Sequence, residues 1–251
     1  MVIFIILALV IVAVVLIFFL LNSNFGFFSG EDLTPQRFFS ECLEPEIQPS
    51  VGFLAKQGGY KNPEGYATYQ GEQIKYLCYT DDYYETCAIQ QPLTKRHFEK
   101  ELGDILTGKG NQCMNEFLRV AQERGYTVDS EGFKVESSLI PGKIIVALHT
   151  PLTLTKNDNS QRFEKVVIEK ESEIYDLLFV AQSIVDSEAK LGDSAIELYM
   201  QYYPDLEIRK IKLSDGTKIY KLSNVVTGEV YQFSSRSLAW PAGYGLEGGN
   251  L

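Results

Sequence analysis

The first 21 residues constrain this chain more strongly than any other feature. From Val2 to Leu21 every residue is Val, Ile, Leu, Phe or Ala, without a charge, a Gly or a Pro. Twenty helical residues at about 1.5 Å each span roughly 30 Å, the thickness of the hydrocarbon core of a bilayer. Because an ordinary helix of a soluble domain keeps a polar stripe, a run that is apolar on all sides predicts a membrane-compatible helix.

Three fates are open to such a helix: a cleaved secretory signal, a membrane anchor, or the core helix of a filament. No Lys or Arg precedes the run, and Leu-Leu-Asn-Ser-Asn offers no small-x-small cleavage site, which disfavours a cleaved signal. The helix of a filament subunit also lies in the membrane before assembly, so composition does not distinguish it from a permanent membrane anchor.

The run from Met1-Val2-Ile3-Phe4-Ile5-Ile6-Leu7-Ala8 to Leu21 resembles the apolar N-terminal helix of archaeal type IV pilin-like proteins. That family carries a short basic leader ending in Gly before the run, and no leader is present in this sequence. The resemblance implies homo-oligomeric assembly through this helix. The side chains expected to make the contacts are Val2, Ile3, Phe4, Ile5, Ile6, Leu7, Val10, Ile11, Val14, Val15, Phe18 and Phe19.

A looser resemblance links the chain to single-pass surface proteins of small archaea that carry Cys-containing helices after the anchor. The residues concerned are Glu41-Cys42-Leu43 and Gln57-Gly58-Gly59-Tyr60. This second resemblance implies no activity.

The rest of the chain is acidic. The formal net charge is −10, and all of it falls after the apolar run. Binding to nucleic acid needs clustered Lys and Arg, so this balance disfavours nucleic acid and also an anionic membrane surface. An acidic exterior is typical of an exposed protein that must stay soluble.

Four cysteines follow the apolar run, and an even number in an exported domain indicates two disulfides. Cys78 and Cys87 flank a polar stretch that has the composition of a hairpin tip, so we expect them to pair with each other. Cys42 would then pair with Cys113, which ties two helices together. No Cys-x-x-Cys is present and neither His97 nor His149 has a partner at ligand spacing, so no metal site is predicted.

The chain divides by composition into a hydrophobic helix (1–22), a hinge (23–33), an extracellular domain (34–240) with a possible boundary near 125–130, and a Gly-rich tail (241–251). Helical periodicity and turn residues predict an α+β domain with antiparallel sheets. Pro45 and Pro49 are expected to bend or interrupt its first helix, and Gly108-Lys109-Gly110 is expected to separate two later helices. Two short strands are expected at 143–149 and 152–155.

No catalytic motif is present, so the sequence predicts no catalytic residue and no cofactor. The best base for a hydrolase would be His149, at the end of an apolar strand. Tyr side chains suit both strands and contact surfaces. The residues of the possible contact surface for a ligand are Tyr66, Tyr69, Tyr76, Tyr79, Tyr83 and Tyr84.

These observations lead to an expected function at the cell surface. The first hypothesis is a structural, pilin-like subunit that enters the membrane and then assembles into an extracellular filament through its N-terminal helix. The alternative is a single-pass, membrane-anchored binding or adhesion module. An anchored hydrolase is the third.

Overall fold

A computed structural model describes residues 33–240 of the chain. The chain divides into two compact units between Thr34 and Pro35, and every described helix and strand belongs to the second. The predicted assembly helix, residues 23–32 of the hinge and the Gly-rich tail lie outside the described residues. Within residues 33–240, no helix combines the length and the apolar composition needed to cross a bilayer.

The first described helix, α1, runs from Pro35 to Lys56 without interruption. Pro45 and Pro49 do not interrupt it, because both are exposed and lie four residues apart on the solvent face. Carbonyl groups that lose an amide partner there remain open to water. The opposite face is buried, and its apolar side chains include Phe38, Phe39, Leu43, Ile47, Val51 and Leu54.

The second helix, α2, covers Thr94–Glu123 as a single element of 30 residues. The predicted separation at Gly108-Lys109-Gly110 is therefore wrong. Gly110 serves close packing instead, since a Cβ atom added there would lie 2.3 Å from Cζ of Phe133. A ring from the connection just before the strand that begins at Lys134 thus occupies the space that a side chain would take.

We expect alanine substitutions at Gly108 and Gly110 of α2 to change the free energy of unfolding in opposite directions. Gly108 is exposed, and a Cβ atom there meets nothing within 4 Å, so Gly108→Ala should stabilise the fold by about 0.5–1 kcal/mol through helix propensity. Gly110→Ala must displace the Phe133 ring, and overpacking typically costs about 1–3 kcal/mol, which exceeds the same propensity gain. Urea denaturation of both variants measures the difference, and a stabilising Gly110→Ala would contradict this account.

Two disulfides brace the fold, and both predicted pairings are confirmed. Cys42 of α1 is joined to Cys113 of α2, and Cys78 is joined to Cys87. The first bridge lies beside a buried aromatic cluster, in which the Phe117 ring centroid is 5.2 Å from the ring centroids of both Phe38 and Phe39. Two disulfides indicate an oxidising, extracytoplasmic location.

The strands of the described residues are numbered in chain order. They are β1 (Tyr66–Tyr69), β2 (Glu72–Tyr79), β3 (Ala88–Ile89), β4 (Thr127–Ser130), β5 (Lys134–Ile140), β6 (Lys143–Lys156), β7 (Asn159–Glu171), β8 (Leu206–Lys212), β9 (Thr217–Asn224) and β10 (Val230–Arg236).

The first sheet has the order β1-β2-β10-β9-β8, with β3 paired to β2. Its strands come from both sides of residues 125–130. The strands β8, β9 and β10 form an antiparallel meander, while β10 pairs with β2 in parallel. The expectation of antiparallel pairing alone is therefore corrected. Loops carry turn signals for local hairpins, whereas the pairing of two strands about 150 residues apart leaves none.

The second sheet is built around the long strand β6, which pairs with β7 on one edge and with β4 and β5 on the other. The two strands predicted at 143–149 and 152–155 are one strand of 14 residues. A register shift between His149 and Leu152 accommodates Pro151, because a Pro inside a sheet is tolerated at a bulge. The connection at Asn157-Asp158 is a tight hairpin turn, with φ of 49° and 64°.

Two further helices lie on the first sheet. They are α3 (Ile174–Leu191) and α4 (Ile196–Tyr202). Gly192, with φ of 79°, ends α3 in the left-handed conformation. The chain then turns sharply into α4, so the two helices are neighbours. The inward face of α3 is apolar, with Leu177, Leu178, Ala181, Ile184 and Val185 buried.

Candidate functional site

The two histidines are placed in different surroundings. The imidazole of His149 is 42% exposed on β6, with Nε2 at 3.3 Å from Oε2 of Glu136. His97 is half-buried at the start of α2, and its ring centroid lies 3.9 Å from that of Tyr60. Burial lowers the pKa of His97, and within the described residues its Nε2 has no hydrogen-bond partner. Across the described part of the chain, no hydrogen bond joins the side chain of either histidine to a serine, threonine or cysteine side chain.

The tyrosines of the predicted contact surface divide into two groups. Tyr69 and Tyr76 pack against a small buried cluster in the first sheet, and the ring centroid of Tyr79 lies 4.8 Å from that of Tyr76. These three are half-buried. The exposed members are Tyr66 at 41%, Tyr83 at 63% and Tyr84 at 76%.

The loop that carries Tyr83 and Tyr84 is held in place. The Cys78–Cys87 bridge closes its base, and the amide of Tyr84 donates to the carbonyl oxygen of Leu238 at 2.8 Å. Arg236 donates from its guanidinium to the carbonyl oxygen of Thr80 at 2.6 Å. Whether this loop contacts a ligand remains a prediction.

A charged network lies inside the protein, where α3 crosses β9 and β10. The carboxylate of Glu188 is fully buried and accepts hydrogen bonds from Nζ of Lys218 at 2.8 and 2.9 Å. The hydroxyl groups of Tyr220 and Ser235 donate to the same carboxylate. Lys218 also donates to the carbonyl oxygen of Gly192, the residue that ends α3. The network therefore fixes both the position of α3 on the sheet and its end.

The network continues outward through Asp193. Its Oδ1 lies 2.9 Å from Nζ of Lys210 and 3.4 Å from Nζ of Lys218. Burial alone would raise the pKa of Asp193, but the two lysines outweigh it and lower this pKa to about 2. Burial raises the pKa of Glu188, and the contact with Lys218 opposes that rise. The carboxylate of Glu188 thus has one lysine as its partner, whereas the carboxylate of Asp193 has two.

A groove opens beside Asp193, between α3 and α4, with a volume of about 640 Å³. We refer to it as the α3–α4 groove. Its principal lining residues are Phe179, Val180, Ser187, Leu191, Leu198 and Tyr202. Between Val180 and Leu191 the groove follows α3 for about 16 Å, at 1.5 Å per residue. The hydroxyl of Ser183 is 2.9 Å from that of Tyr199, which links the two helices across the groove.

The walls of this groove are apolar and exposed. Phe179 is 62% exposed, Leu191 69%, Leu198 57% and Tyr202 79%. Single exposed apolar residues are ordinary on a protein surface, but a contiguous group marks an interaction site. Sequence reasoning missed this site. The available signal was that Phe179 and Leu191 lie off the buried stripe of α3, where a polar residue is expected.

Two further concavities adjoin the groove. One, of about 430 Å³, shares Phe179 and lies between α3 and the start of α2, next to Leu93 and Gln182. The other, of about 170 Å³, shares Val180 and Tyr203 with the groove. We refer to the latter as the acidic pocket, because carboxylates of Glu173, Asp176 and Asp205 surround it.

Comparisons of the chain with protein-family models, with curated proteins and with solved structures found no match. The function is therefore argued from the site alone.

Proposed function

We propose that this chain is an exported binding module at the cell surface, anchored through its N-terminal apolar run, that accepts an apolar helical segment of a partner protein in the α3–α4 groove. The observation that carries the proposal is the row of exposed apolar side chains on both walls of that groove. In a chain with a net charge of −10, a continuous apolar surface of this kind favours contact with a partner over contact with water.

The shape of the groove favours a polypeptide over a small molecule. Small ligands bind in clefts that cover most of their surface, whereas this groove is open along α3 and adjoins two further concavities at Phe179 and Val180. A helix presents apolar side chains at every third or fourth position, which matches a groove between two helices. A stretch of about 16 Å accommodates three turns of such a helix.

One polar group in the groove supports an incoming partner. Ser194 lines the groove and is 3% exposed, and its hydroxyl has no hydrogen-bond partner within the described residues. A buried hydroxyl without a partner costs about 1–3 kcal/mol. A polar group of a bound segment would remove that cost.

The proposal predicts that Phe179→Ser weakens the binding of an apolar helical peptide. The probe is a fluorescent peptide of 18 residues with Leu on one helical face, Gln and Ala elsewhere, and no charge. Burial of a Phe side chain contributes about 1.5–3 kcal/mol, so we expect at least about a tenfold loss of affinity. Fluorescence anisotropy with the full chain in lipid nanodiscs measures the effect, with empty nanodiscs as the blank.

Phe53→Ser is the matched control. Phe53 is a helical phenylalanine with 46% exposure, on α1 rather than in the groove, so its replacement should leave peptide affinity unchanged. An equal loss in both variants, or equal binding to empty nanodiscs, would reject the proposal. The near-ultraviolet circular dichroism spectrum checks that each variant is folded.

A second candidate function is the filament subunit, and the observation that favours it is the uniformly apolar run from Val2 to Leu21. In this case the run packs against copies of itself and the disulfide-braced unit faces outward. Negative-stain imaging of native surface filaments, with mass spectrometry of their subunits, tests it. The presence of this chain in filaments supports the idea, while its recovery only as a detergent-extracted monomer contradicts it.

A further inference from the structure

The acidic pocket has no basic counterpart within the described residues. None of the ion pairs among those residues involves Glu173, Asp176 or Asp205, whereas Glu44, Asp193 and Glu188 each face a lysine. Glu173 and Asp176 lie at the start of α3, where negative charge is favourable to the helix. That effect accounts for two acids on the helix but not for Asp205, which reaches the pocket from the segment before β8.

The carboxylates of Asp176 and Asp205 both line the pocket beside Glu173 and act on its charge. Burial raises the pKa of Glu173 above its usual value, and the carboxylates of Asp176, Glu229 and Asp205 raise it further. Glu229 is held by hydrogen bonds from Ser172 and from the amide of Glu173. An incoming cation would relieve this repulsion without displacing an existing ion pair.

The walls of the acidic pocket indicate which kind of cation it suits. Leu177, Val180 and Leu206 are buried apolar residues that line it beside the acids. No group of side chains in the described part of the chain has the arrangement of a metal site. An apolar wall with a charged rim fits a Lys or Arg side chain, whose methylene groups pack on apolar surface while the charged end reaches the carboxylates.

The acidic pocket adjoins the α3–α4 groove, since Val180 and Tyr203 line both. Therefore, resting on the function proposed above, we propose that the segment accepted by the groove carries a Lys or Arg at one end, and that this side chain enters the acidic pocket. The apolar groove supplies affinity and the acidic pocket fixes the direction in which the segment lies. Charge complementarity of this kind contributes more to orientation and specificity than to affinity.

Three synthetic peptides test this inference. All share the 18-residue apolar design above, and they differ only in a terminal pair of residues, which is Lys-Lys, Gln-Gln or Glu-Glu. At low salt we expect the Lys peptide to bind about fivefold to tenfold more tightly than the Gln peptide, the size expected for one or two partly exposed ion pairs. The Glu peptide should bind more weakly than both, and 0.5 M salt should reduce the difference.

A double variant tests the pocket itself. In the full chain, Asp176→Asn together with Asp205→Asn should bring the ratio of the Lys and Gln affinities close to one. Glu197→Gln is the matched control, since Glu197 is an exposed acid on α4 that does not line the groove or the acidic pocket. That variant should retain the ratio.

The outcomes separate this inference from the proposed function. Equal affinity for all three peptides, together with a loss of peptide affinity on Phe179→Ser, would contradict the proposed Lys or Arg at the end of the segment. The proposal that the groove binds an apolar helix would then still stand. Binding of no peptide above the empty-nanodisc blank would overturn both. Tighter binding of the Glu peptide than of the Lys peptide would also overturn the inference. So would a ratio of Lys-peptide to Gln-peptide affinity that is unchanged in the double variant.

Discussion

Replacing both Cys42 and Cys113 with Ala should lower the free energy of unfolding by about 4.4 kcal/mol, on the chain-entropy model. The two residues are 71 positions apart, so the bridge removes a large loop from the freedom of the unfolded chain. It also joins α1, which contacts both sheets, directly to α2, which contacts the second sheet. Guanidinium denaturation of the full chain in a mild detergent, followed by near-ultraviolet circular dichroism, measures the change.

The second bridge provides the internal control. Cys78 and Cys87 are 9 positions apart, and the same model gives about 2.7 kcal/mol for so short a loop. The loss on removing Cys42–Cys113 should therefore exceed the loss on removing Cys78–Cys87 by more than 1 kcal/mol on this model. A larger effect from the short-loop bridge would show that local packing near residues 236–238 outweighs loop length.

Both pairings could be predicted from the sequence because one of them is local. Cys78 and Cys87 flank a turn-like stretch between two strands, and their pairing leaves only Cys42 with Cys113. The α+β order was predictable for the same reason, since each hairpin carries its own turn residues. Asn157-Asp158 and Asp215-Gly216 are examples, and the structure has a turn at each.

Features set by distant contacts could not be predicted. Gly110 looked like a helix end, and only the position of Phe133 explains why a glycine stands there inside the helix. The groove was missed for a related reason. Helical periodicity identifies the buried stripe of α3, but it does not show that α4 turns back beside the other face and leaves Phe179 exposed between them.

The groove and the buried charges belong to one arrangement. Lys218 holds the end of α3 through the carbonyl oxygen of Gly192, and Lys210 holds the start of the next segment through the carbonyl oxygen of Ser194. The turn between α3 and α4 is thereby fixed at both ends. Because the groove lies between these two helices, its width depends on that turn.

Lys218→Met should therefore lower the free energy of unfolding by about 3–5 kcal/mol, the usual cost of leaving a buried charge without its partner. Glu188 would remain fully buried, with only the hydroxyl groups of Tyr220 and Ser235 as donors. Lys210→Met is the matched control, because Asp193 is 40% exposed and keeps Lys218 at 3.4 Å. Its cost should be near 1 kcal/mol.

The pH dependence of Lys218→Met identifies the charge as the cause. The pKa of Glu188 is already raised by burial, and loss of Lys218 should raise it further. A carboxyl group whose pKa is higher in the folded than in the unfolded state binds its proton more readily when folded, so the fold loses stability as pH rises through the folded pKa. The deficit of the variant should accordingly shrink as pH falls.

A second substitution separates charge from packing. Adding Glu188→Gln to Lys218→Met removes the buried charge and keeps an oxygen that accepts from Tyr220 and Ser235, so part of the lost stability should return. The pH dependence should disappear with it, since no carboxyl group remains at that position. If Lys218→Met costs no more than Lys210→Met at neutral pH, the stability of α3 on the sheet rests on its apolar face alone and the buried pair serves only to place the turn beside the groove.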